Sequence, residues 1–236
     1  SFIGMDISLP LKKSLLFSFF QGSHKDSNRF IDPLSDSKGL VLEVKDSNGN
    51  SDISYQAGMT LGDSNLLGIS SIGGFGKPDN PLTSFMGVEV TTRIEEILLR
   101  GSMHIGQTQS EFSQLGLIDN IQDSYFSSFD LGIYKENVFM RNDSLGIQLY
   151  QPLRSEYAKM DLNIPVGRTK NKKILFEELS IDLTPSGRQI NSQLVYAARL
   201  DNLTFFGKLG VVSNEFHHSK SEIKPYFQVD LEFRLE

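Results

Sequence analysis

The chain has 236 residues and a formal net charge of -6, with 39% hydrophobic and 22% charged residues. Cysteine is absent, which excludes disulfides and thiolate metal sites. The negative charge argues against nucleic-acid binding, and no apolar run approaches the roughly 20 residues of a membrane-spanning helix.

Alternation of apolar and polar residues begins at the N-terminus and predicts a first strand over residues 3–9, ending at Pro10. A second strand is predicted over residues 14–21, followed by a long polar loop at 22–39. The first residues lack a basic region, a long apolar core and a cleavage site. We therefore expect that a targeting signal has been removed, or that this is the C-terminal piece of a longer chain.

The next segment predicts a β-hairpin. A short strand at 40–44 leads into the sequence DSNGN at 46–50, a strong turn signal, and a second strand follows at 53–61. Residues 65–76 are rich in Gly and Ser and fit either a weak strand or part of a long loop, which Pro78 and Pro81 end.

The rest of the chain repeats the alternating pattern. Further strands are predicted at 86–90, 97–105, 125–133, 145–149, 158–164, 179–183, 190–196, 203–209 and 227–235, with a long polar loop at 107–122. Each strand has one apolar face and one face rich in charges and amides. A soluble sandwich can show this pattern, but a membrane barrel must show it. We predict a single domain over residues 1–236, an all-β antiparallel transmembrane β-barrel of roughly 12–14 strands.

If the C-terminus is periplasmic, as in bacterial outer-membrane barrels, connection lengths predict that the short turns are periplasmic and the long loops external. Short turns are expected at one end, and longer loops at the other, near Asp79, Ser113, Arg154, Ser186 and Ser219. The expected short turns lie near Thr92, Asn142, Lys170 and Asp201. Counting residues 66–72 as a strand would put the 22–39 loop at the short-turn end. Leaving them out makes the strand count odd, as if one strand preceded Ser1, and the sequence leaves both alternatives open.

Three short motifs resemble, in order and spacing, those of the C-terminal translocator barrel of subtilisin-type serine protease autotransporters. They are QPLR at 151–154, PVGR at 165–168 and LTPSGR at 183–188. Residues 64–68 with 73–75, and 124–126, are similar to further elements of that family. The resemblance covers about residues 58–236. Two positions depart from the family pattern: Ser155 follows Arg154 where an apolar residue is usual, and the chain ends on Glu236 instead of an aromatic residue.

The resemblance implies an outer-membrane barrel of about a dozen strands, whose pore holds a helix left by secretion of an upstream passenger. Its partners would be outer-membrane lipid, the barrel-assembly machinery and that passenger, with no nucleic acid and no cofactor. Any protease activity would lie in the passenger, so no catalytic residue is expected here. The final strand would serve as assembly signal and closing strand, through Tyr226, Phe227, Val229, Leu231, Phe233 and Leu235.

The alternation also assigns side chains to faces. Charges expected to face the lumen are Glu89, Arg93, Arg100, Asp130, Lys159, Asp161, Glu178, Asp182, Arg199, Lys208, Asp230, Glu232 and Arg234. Residues expected to face lipid are Leu145, Ile147, Leu162, Ile181, Leu194, Phe205, Val229 and Leu231, with Tyr55, Tyr125, Phe227 and Phe233 at interfacial girdles.

Other candidate sites carry less weight. His104 with Asp130 could act as a general base, but a solvated lumen histidine is the more common case. His217 and His218 could bind a metal with Glu215 or Glu222, although adjacent loop histidines usually point apart. The sequence RTKNKK at 168–173 fits a solvated turn better than a nucleic-acid site, and the glycines at 73–76 lack the context of a phosphate loop. A small outer-membrane pore and a soluble β-sandwich binding module remain the alternatives to a translocator.

Overall fold

The computed structural model describes residues 2–10, 14–24, 35–62, 65–66, 69–70, 78–112, 116–200 and 203–233. These ranges form strands and one 3-10 turn at Glu215–His217. The strands are β1 (Phe2–Pro10), β2 (Ser14–His24), β3 (Ser35–Asn48), β4 (Ser51–Gly62), β5 (Asn65–Leu66), β6 (Ile69–Ser70), β7 (Pro78–Ile94), β8 (Ile97–Phe112), β9 (Ile118–Glu136), β10 (Asp143–Tyr157), β11 (Lys159–Arg168), β12 (Ile174–Asp182), β13 (Ile190–Leu200), β14 (Leu203–Ser213) and β15 (Lys224–Phe233).

Thirteen of the strands form one sheet, in which every pair is antiparallel. The main path follows the order β1-β2-β3-β4-β7-β8-β9-β10-β13-β14-β15. The fold is therefore all-β, as predicted, and its meander order is that of an up-and-down barrel. Among the described residues no ladder joins β1 to β15, so the sheet is open. Because the path has eleven antiparallel positions, β1 and β15 run in the same direction.

Strands β10 to β13 form one long hairpin, whose outgoing arm consists of β10 and β11 and whose returning arm consists of β12 and β13. β10 pairs with β9 from Ser144 to Tyr157, and β11 continues along the same side of β9 through Met160 and Leu162. On the returning path, β12 pairs with β11 and β13 pairs with β10. Residues 183–189 therefore interrupt a strand path and do not form a loop at an end of the sheet.

The two ends of the sheet differ in the length of their connections. One end, called the short-turn end, joins its strands across residues 11–13, 49–50, 95–96, 137–142 and 201–202. The opposite end, called the long-loop end, joins them across 25–34, 63–77, 113–117 and 214–223. The two-residue strands β5 and β6 form a separate pair within the second of these connections. Connections of ten or more residues therefore occur only at the long-loop end, although the connection at 113–117 is shorter than that at 137–142. Among the described residues of 66–72, none belongs to the main sheet.

Three details of the predicted orientation are wrong, the first being the end loop expected near Ser186, which lies instead in the segment 183–189 that interrupts a strand path. The turn at 169–173 was expected with Asn142 at the short-turn end, but it lies at the long-loop end because β10 and β11 run on in one direction. Arg154 was expected in a loop, yet it lies within β10.

Several strands are also longer than predicted. β8 and β9 take in most of the predicted 107–122 loop, and β2 and β3 take in both ends of the predicted 22–39 loop. Each added segment lies toward the long-loop end. Hydrophobic alternation is weak there, so the period-two signal ends before the hydrogen-bonded ladder does.

Prolines lie inside strands where the ladder is irregular. The β7–β8 register shifts between Asp79 and Leu82, around Pro81. The β9–β10 register shifts between Gln151 and Arg154, around Pro152. Proline has no N–H to donate, so it is tolerated in a sheet at bulges and edges. β7 can therefore contain Pro81, and it begins at Pro78, well before the predicted start at residue 86.

Candidate functional surfaces

One face of the sheet, called the outer face, carries a continuous row of exposed apolar side chains. The ladders place Leu99, Ile133, Ile147, Leu194, Leu209 and Phe227 side by side across six strands. Ile147 is 65% exposed and Phe227 is 72% exposed. Neighbouring rows on this face contain Leu131, Met103, Met86 and Leu231, each more than half exposed. So large an exposed apolar surface marks a binding or membrane-contact surface.

The opposite face, called the inner face, is polar and well packed. The next residues along the same six strands form an inner-face row, which contains Arg100, Gly132, Gln148, Gln193, Gly210 and Tyr226. Gln193 is 5% exposed, whereas its chain neighbour Leu194 is 43% exposed. This distribution inverts that of a water-soluble domain, in which the apolar residues are the buried ones.

Hydrogen bonds connect the inner face across several strands. The Tyr226 hydroxyl donates to Oε1 of Gln193, and Nε2 of Gln193 donates to Oε1 of Gln148 at 2.6 Å. Nε2 of Gln148 then donates to Asp130. These four residues, called the inner ribbon, link β15, β13, β10 and β9. Hydrogen bonding of this kind satisfies polar groups that packing has removed from water.

Two ion pairs on the inner face join predicted lumen charges to their neighbours. Arg100 contacts Glu89 at 3.0 Å, and Arg93 contacts Glu136 at 2.8 Å. All four side chains are partly exposed, so each pair contributes little to stability. Lys208 and Asp230 also lie on this face, with the Lys208 Nζ 4.9 Å from the centre of the Phe206 ring and Asp230 accepting from Gln228.

Aromatic rings lie against inner-face glycines of neighbouring strands. A Cβ placed on Gly146 would lie 2.2 Å from Cδ1 of Tyr134 and 2.7 Å from the Ile133 carbonyl oxygen. The same relation holds for Gly87 under His104, Gly106 under Phe126 and Gly210 under Tyr226. The rings thus lie flat along the inner wall. For His104 this contact places the imidazole against β7, on the same face as Arg100 and Asp130.

Of the other predicted lumen charges, four lie on the β11–β12 hairpin, whereas Arg199 and Glu232 lie on the inner face, each opposite Thr204. Lys159, Asp161, Glu178 and Asp182 belong to the β11–β12 hairpin, where Lys159 is opposite Asp182 and Asp161 accepts from Gln122 at 3.2 Å. Almost every residue of β12 is exposed. Arg199 and Glu232 are exposed on β13 and β15, and Arg234 lies outside the described residues. The lumen assignment remains a prediction for the whole set.

Predicted lipid-facing residues fall into two groups. Leu145, Ile147, Leu194, Phe205, Val229 and Leu231 lie on the outer face. Leu162 and Ile181 lie instead on the β11–β12 hairpin, where Leu162 packs with Met160 against buried Ile118 and Ile121.

Aromatic pairs flank the apolar part of the outer face. Tyr125 and Tyr157 lie 6.4 Å apart toward the long-loop end. Toward the short-turn end, the Tyr196 ring contacts Phe139 at 5.8 Å and Phe205 at 5.9 Å. Tyr55 and Phe227 are exposed as well, whereas only the backbone of Phe233 is described and Leu235 lies outside the described residues.

The sequence did not predict that two of its motifs meet. Arg154 of QPLR donates from Nε to the Gly187 carbonyl at 2.9 Å and from Nη2 to the Pro185 carbonyl at 3.0 Å. Arg188 of PSGR donates to the Gln151 side chain, and both arginines pair with Glu156. Gln151 is only 1% exposed. These residues, called the rim cluster, attach segment 183–189 to β10. Only the resemblance of QPLR and LTPSGR to family motifs had marked these residues in the sequence.

A strained turn completes the rim cluster. Asn214, Phe216 and His217 all have φ between 51° and 58°, which is unusual for residues other than glycine. The Gln189 amide donates to Nδ1 of His217 at 2.9 Å, so Nε2 carries the proton and donates to the Leu153 carbonyl at 3.0 Å. Burial lowers the pKa of His217, with Arg154 and Arg188 adding to the effect and the bond to Leu153 opposing it. The neutral imidazole therefore joins three segments.

The part of the chain that the structure describes contains no group of three or more His, Asp or Glu residues arranged to hold a metal ion. Glu215, considered as a ligand beside His217, pairs with Lys224 instead. None of the described residues belongs to a helix long and apolar enough to cross a membrane.

Comparison with protein-family models, with curated proteins and with solved structures found no match to this chain. The functional argument therefore rests on the two faces of the sheet.

Proposed function

We propose that this chain is an outer-membrane β-barrel translocator, which anchors an upstream passenger and exports it to the cell surface. The observation that carries the proposal is the inverted sheet: apolar side chains are exposed on the outer face while hydrogen-bonded polar side chains line the inner face. A closed barrel places such faces against lipid and against a wet lumen.

The spacing of the aromatic pairs supports a membrane position. From Leu145, beside Tyr196, to Tyr157, the strand path is roughly 40 Å long at about 3.3 Å per residue. A tilt of about 45° would reduce that length to about 28 Å, close to the thickness of a bilayer core. Short turns at one end and long connections at the other also fit outer-membrane barrels.

The resemblance of the QPLR, PVGR and PSGR motifs to those of the autotransporter family is the further support for the translocator role. The rim cluster gives two of those motifs a shared task, since they hold segment 183–189 against β10. In this proposal the described residues have no catalytic role, and a subtilisin-type protease would be the exported passenger. The barrel-assembly machinery would recognise β15.

A small outer-membrane pore is the second candidate. The inner face favours it, because a polar wall that carries charges of both signs suits a water-filled channel without any passenger.

A fusion experiment tests the proposal. A signal peptide and a reporter passenger are placed before Ser1, and display is measured by protease digestion of intact cells. We expect the full chain to display the passenger, and removal of residues 226–236 or Phe233→Asp to abolish both membrane insertion and display. Arg100→Gln, on the inner face, is the control and should leave insertion intact.

The outcomes separate the candidates. A pore would be identified if the chain inserts into the membrane, migrates differently on gels when unheated, and conducts ions, but displays no passenger. A chain that folds as a monomer in plain buffer would refute both membrane functions, because an open apolar face in water is not compatible with such a state.

A further inference from the structure

The β11–β12 hairpin projects beyond the sheet. Among the described residues, the last hydrogen bond between β11 and the β9 side runs from the Asn163 amide to the Leu117 carbonyl, at 2.8 Å. Residues 164–168 and their partners in β12 continue past it, which at about 3.4 Å per residue adds roughly 17 Å. Among the described residues, only the two hairpin strands pair with each other over this length.

The outer part of the hairpin is surrounded by exposed apolar side chains. They are Ile164, Val166, Ile174, Leu175 and Phe176, and are called the apolar collar. Val166 is 57% exposed and Phe176 is 59% exposed. The β11–β12 register shifts between Pro165 and Gly167, so alternation is lost and apolar residues occur on both faces. Such a surface is costly in water unless something covers it.

A compact basic turn lies beyond the collar. Arg168, Lys170, Lys172 and Lys173 are all exposed, and this group is called the basic tip. Backbone bonds from Thr169 to the Lys173 carbonyl and from Lys172 to the Thr169 carbonyl close the turn, and the Thr169 hydroxyl accepts from the Lys173 amide. None of the four basic residues forms a salt bridge within the described part of the chain. Four cations are thus held close together on an ordered turn.

Charge is separated along the hairpin. Asp161, Glu178 and Asp182 lie on the part nearer the sheet, and Glu177 lies opposite Ile164 at the start of the collar, whereas the tip carries only positive charge. A negatively charged surface is therefore attracted to the tip and repelled by the base of the hairpin. The preferred approach is end-on.

We propose that the basic tip and the apolar collar dock onto an anionic lipid surface that faces the long-loop end. Cations bind lipid phosphates while the aliphatic collar enters the interface, a combination typical of interfacial membrane binding. Nucleic acid would be better served by several stacking aromatic residues, but Phe176 is the collar's single aromatic side chain. The lipid is not the bilayer proposed around the outer face, because the collar lies beyond the described end of β9. The inference goes beyond the translocator proposal and does not depend on it.

Vesicle flotation tests the proposal. The full chain, held in phosphatidylcholine nanodiscs, is mixed with vesicles of phosphatidylcholine containing phosphatidylglycerol, or of phosphatidylcholine alone. We expect flotation with the anionic vesicles only, weakened by added salt. Lys170→Glu and Phe176→Ser should each weaken apparent binding roughly tenfold. If the chain proves water-soluble, and the proposed function fails, the same assay is run without nanodiscs.

The neighbouring 214–223 connection supplies matched controls. Lys220→Glu and Ile223→Ser change an exposed charge and an exposed apolar residue at the same end of the sheet, and should leave binding unchanged. Equal flotation with both vesicle types would overturn the proposal. So would an equal loss in Lys220→Glu, which would indicate diffuse charge attraction. Loss in Lys170→Glu without loss in Phe176→Ser would also overturn it, because the tip would then bind by charge alone and the collar would not enter the interface.

Discussion

The inner and outer faces of the sheet are built from alternate residues of the same strands, yet polar side chains are buried on the inner face and apolar side chains are exposed on the outer face. Gln193 reaches two partners on the inner face and is almost fully buried, while Leu194, the next residue, extends from the outer face with nearly half its surface exposed. Local propensity cannot explain the difference, because both residues share one strand. If the proposed function is correct, the outer face is the side of the sheet that lipid covers.

The largest expected difference between the two faces is the cost in unfolding free energy of introducing a charge. Met103 lies within the apolar run of β8, and Ser102 lies on the inner face between Glu89 and Asp130. We expect Met103→Arg to destabilise the lipid-embedded chain by roughly 2–4 kcal/mol and Ser102→Arg by close to none. Denaturant unfolding in lipid vesicles measures both. Equal costs would mean that the outer face does not contact hydrocarbon.

The faces should also differ in how they tolerate a methyl group on glycine. Gly146 on the inner face has Tyr134 and a backbone oxygen within contact distance, whereas the nearest atom to a Cβ on outer-face Gly101 is Cδ2 of Leu131, at 3.4 Å. Gly146→Ala should cost roughly 1–3 kcal/mol, because the ring must leave its place on the wall. Gly101→Ala should be nearly neutral. The same unfolding assay compares them, and a larger cost at Gly101 would contradict the packing described.

Protonation of His217, in the connection between β14 and β15, should change stability the least and only locally. Because burial lowers the pKa of His217, the released turn binds a proton more readily than the closed one. The stabilisation is therefore present above about pH 6.5, the ordinary value, and is lost as pH falls toward the lowered pKa. We expect hydrogen-exchange protection of the Gln189 amide to fall by up to about tenfold on acidification.

A variant and a neighbouring histidine control that measurement. His217→Ala should show weak protection of the Gln189 amide at every pH. His218→Ala should behave as the unaltered chain, since His218 is exposed. A pH dependence that survives in His217→Ala would assign the effect to another group, with Glu156 the nearest carboxylate in the rim cluster.

The sequence predicted the fold class and the two faces because both depend on period-two alternation. Residues such as Ile147 and Gln148 carry that signal plainly. The sequence could not predict the parts of β8 and β9 toward the long-loop end, where neither face is consistently apolar. Nor could it show that Pro152 lies at a register shift, so Arg154 was expected in a loop and the turn at 169–173 was placed at the wrong end.

The rim cluster was out of reach for a different reason. Gln151 and Arg188 meet only because β12 and β13 return along β10 and β11. Sequence spacing holds no information about such a contact until the register is known. The motifs were noticed for their resemblance to a family, while their physical role in joining two strand paths follows only from the hydrogen bonds.

Single-cysteine scanning of β8 tests the inverted sheet most directly, and the absence of native cysteine makes it practical. Ser102, Met103, His104 and Ile105 are each changed to Cys in the chain folded into lipid vesicles, and each thiol is tested with a water-soluble maleimide and, after labelling, with a lipid-borne fluorescence quencher. The predicted result has period two: Met103→Cys and Ile105→Cys are quenched by lipid, while Ser102→Cys and His104→Cys react from water. Uniform reaction from water at all four positions would contradict the account.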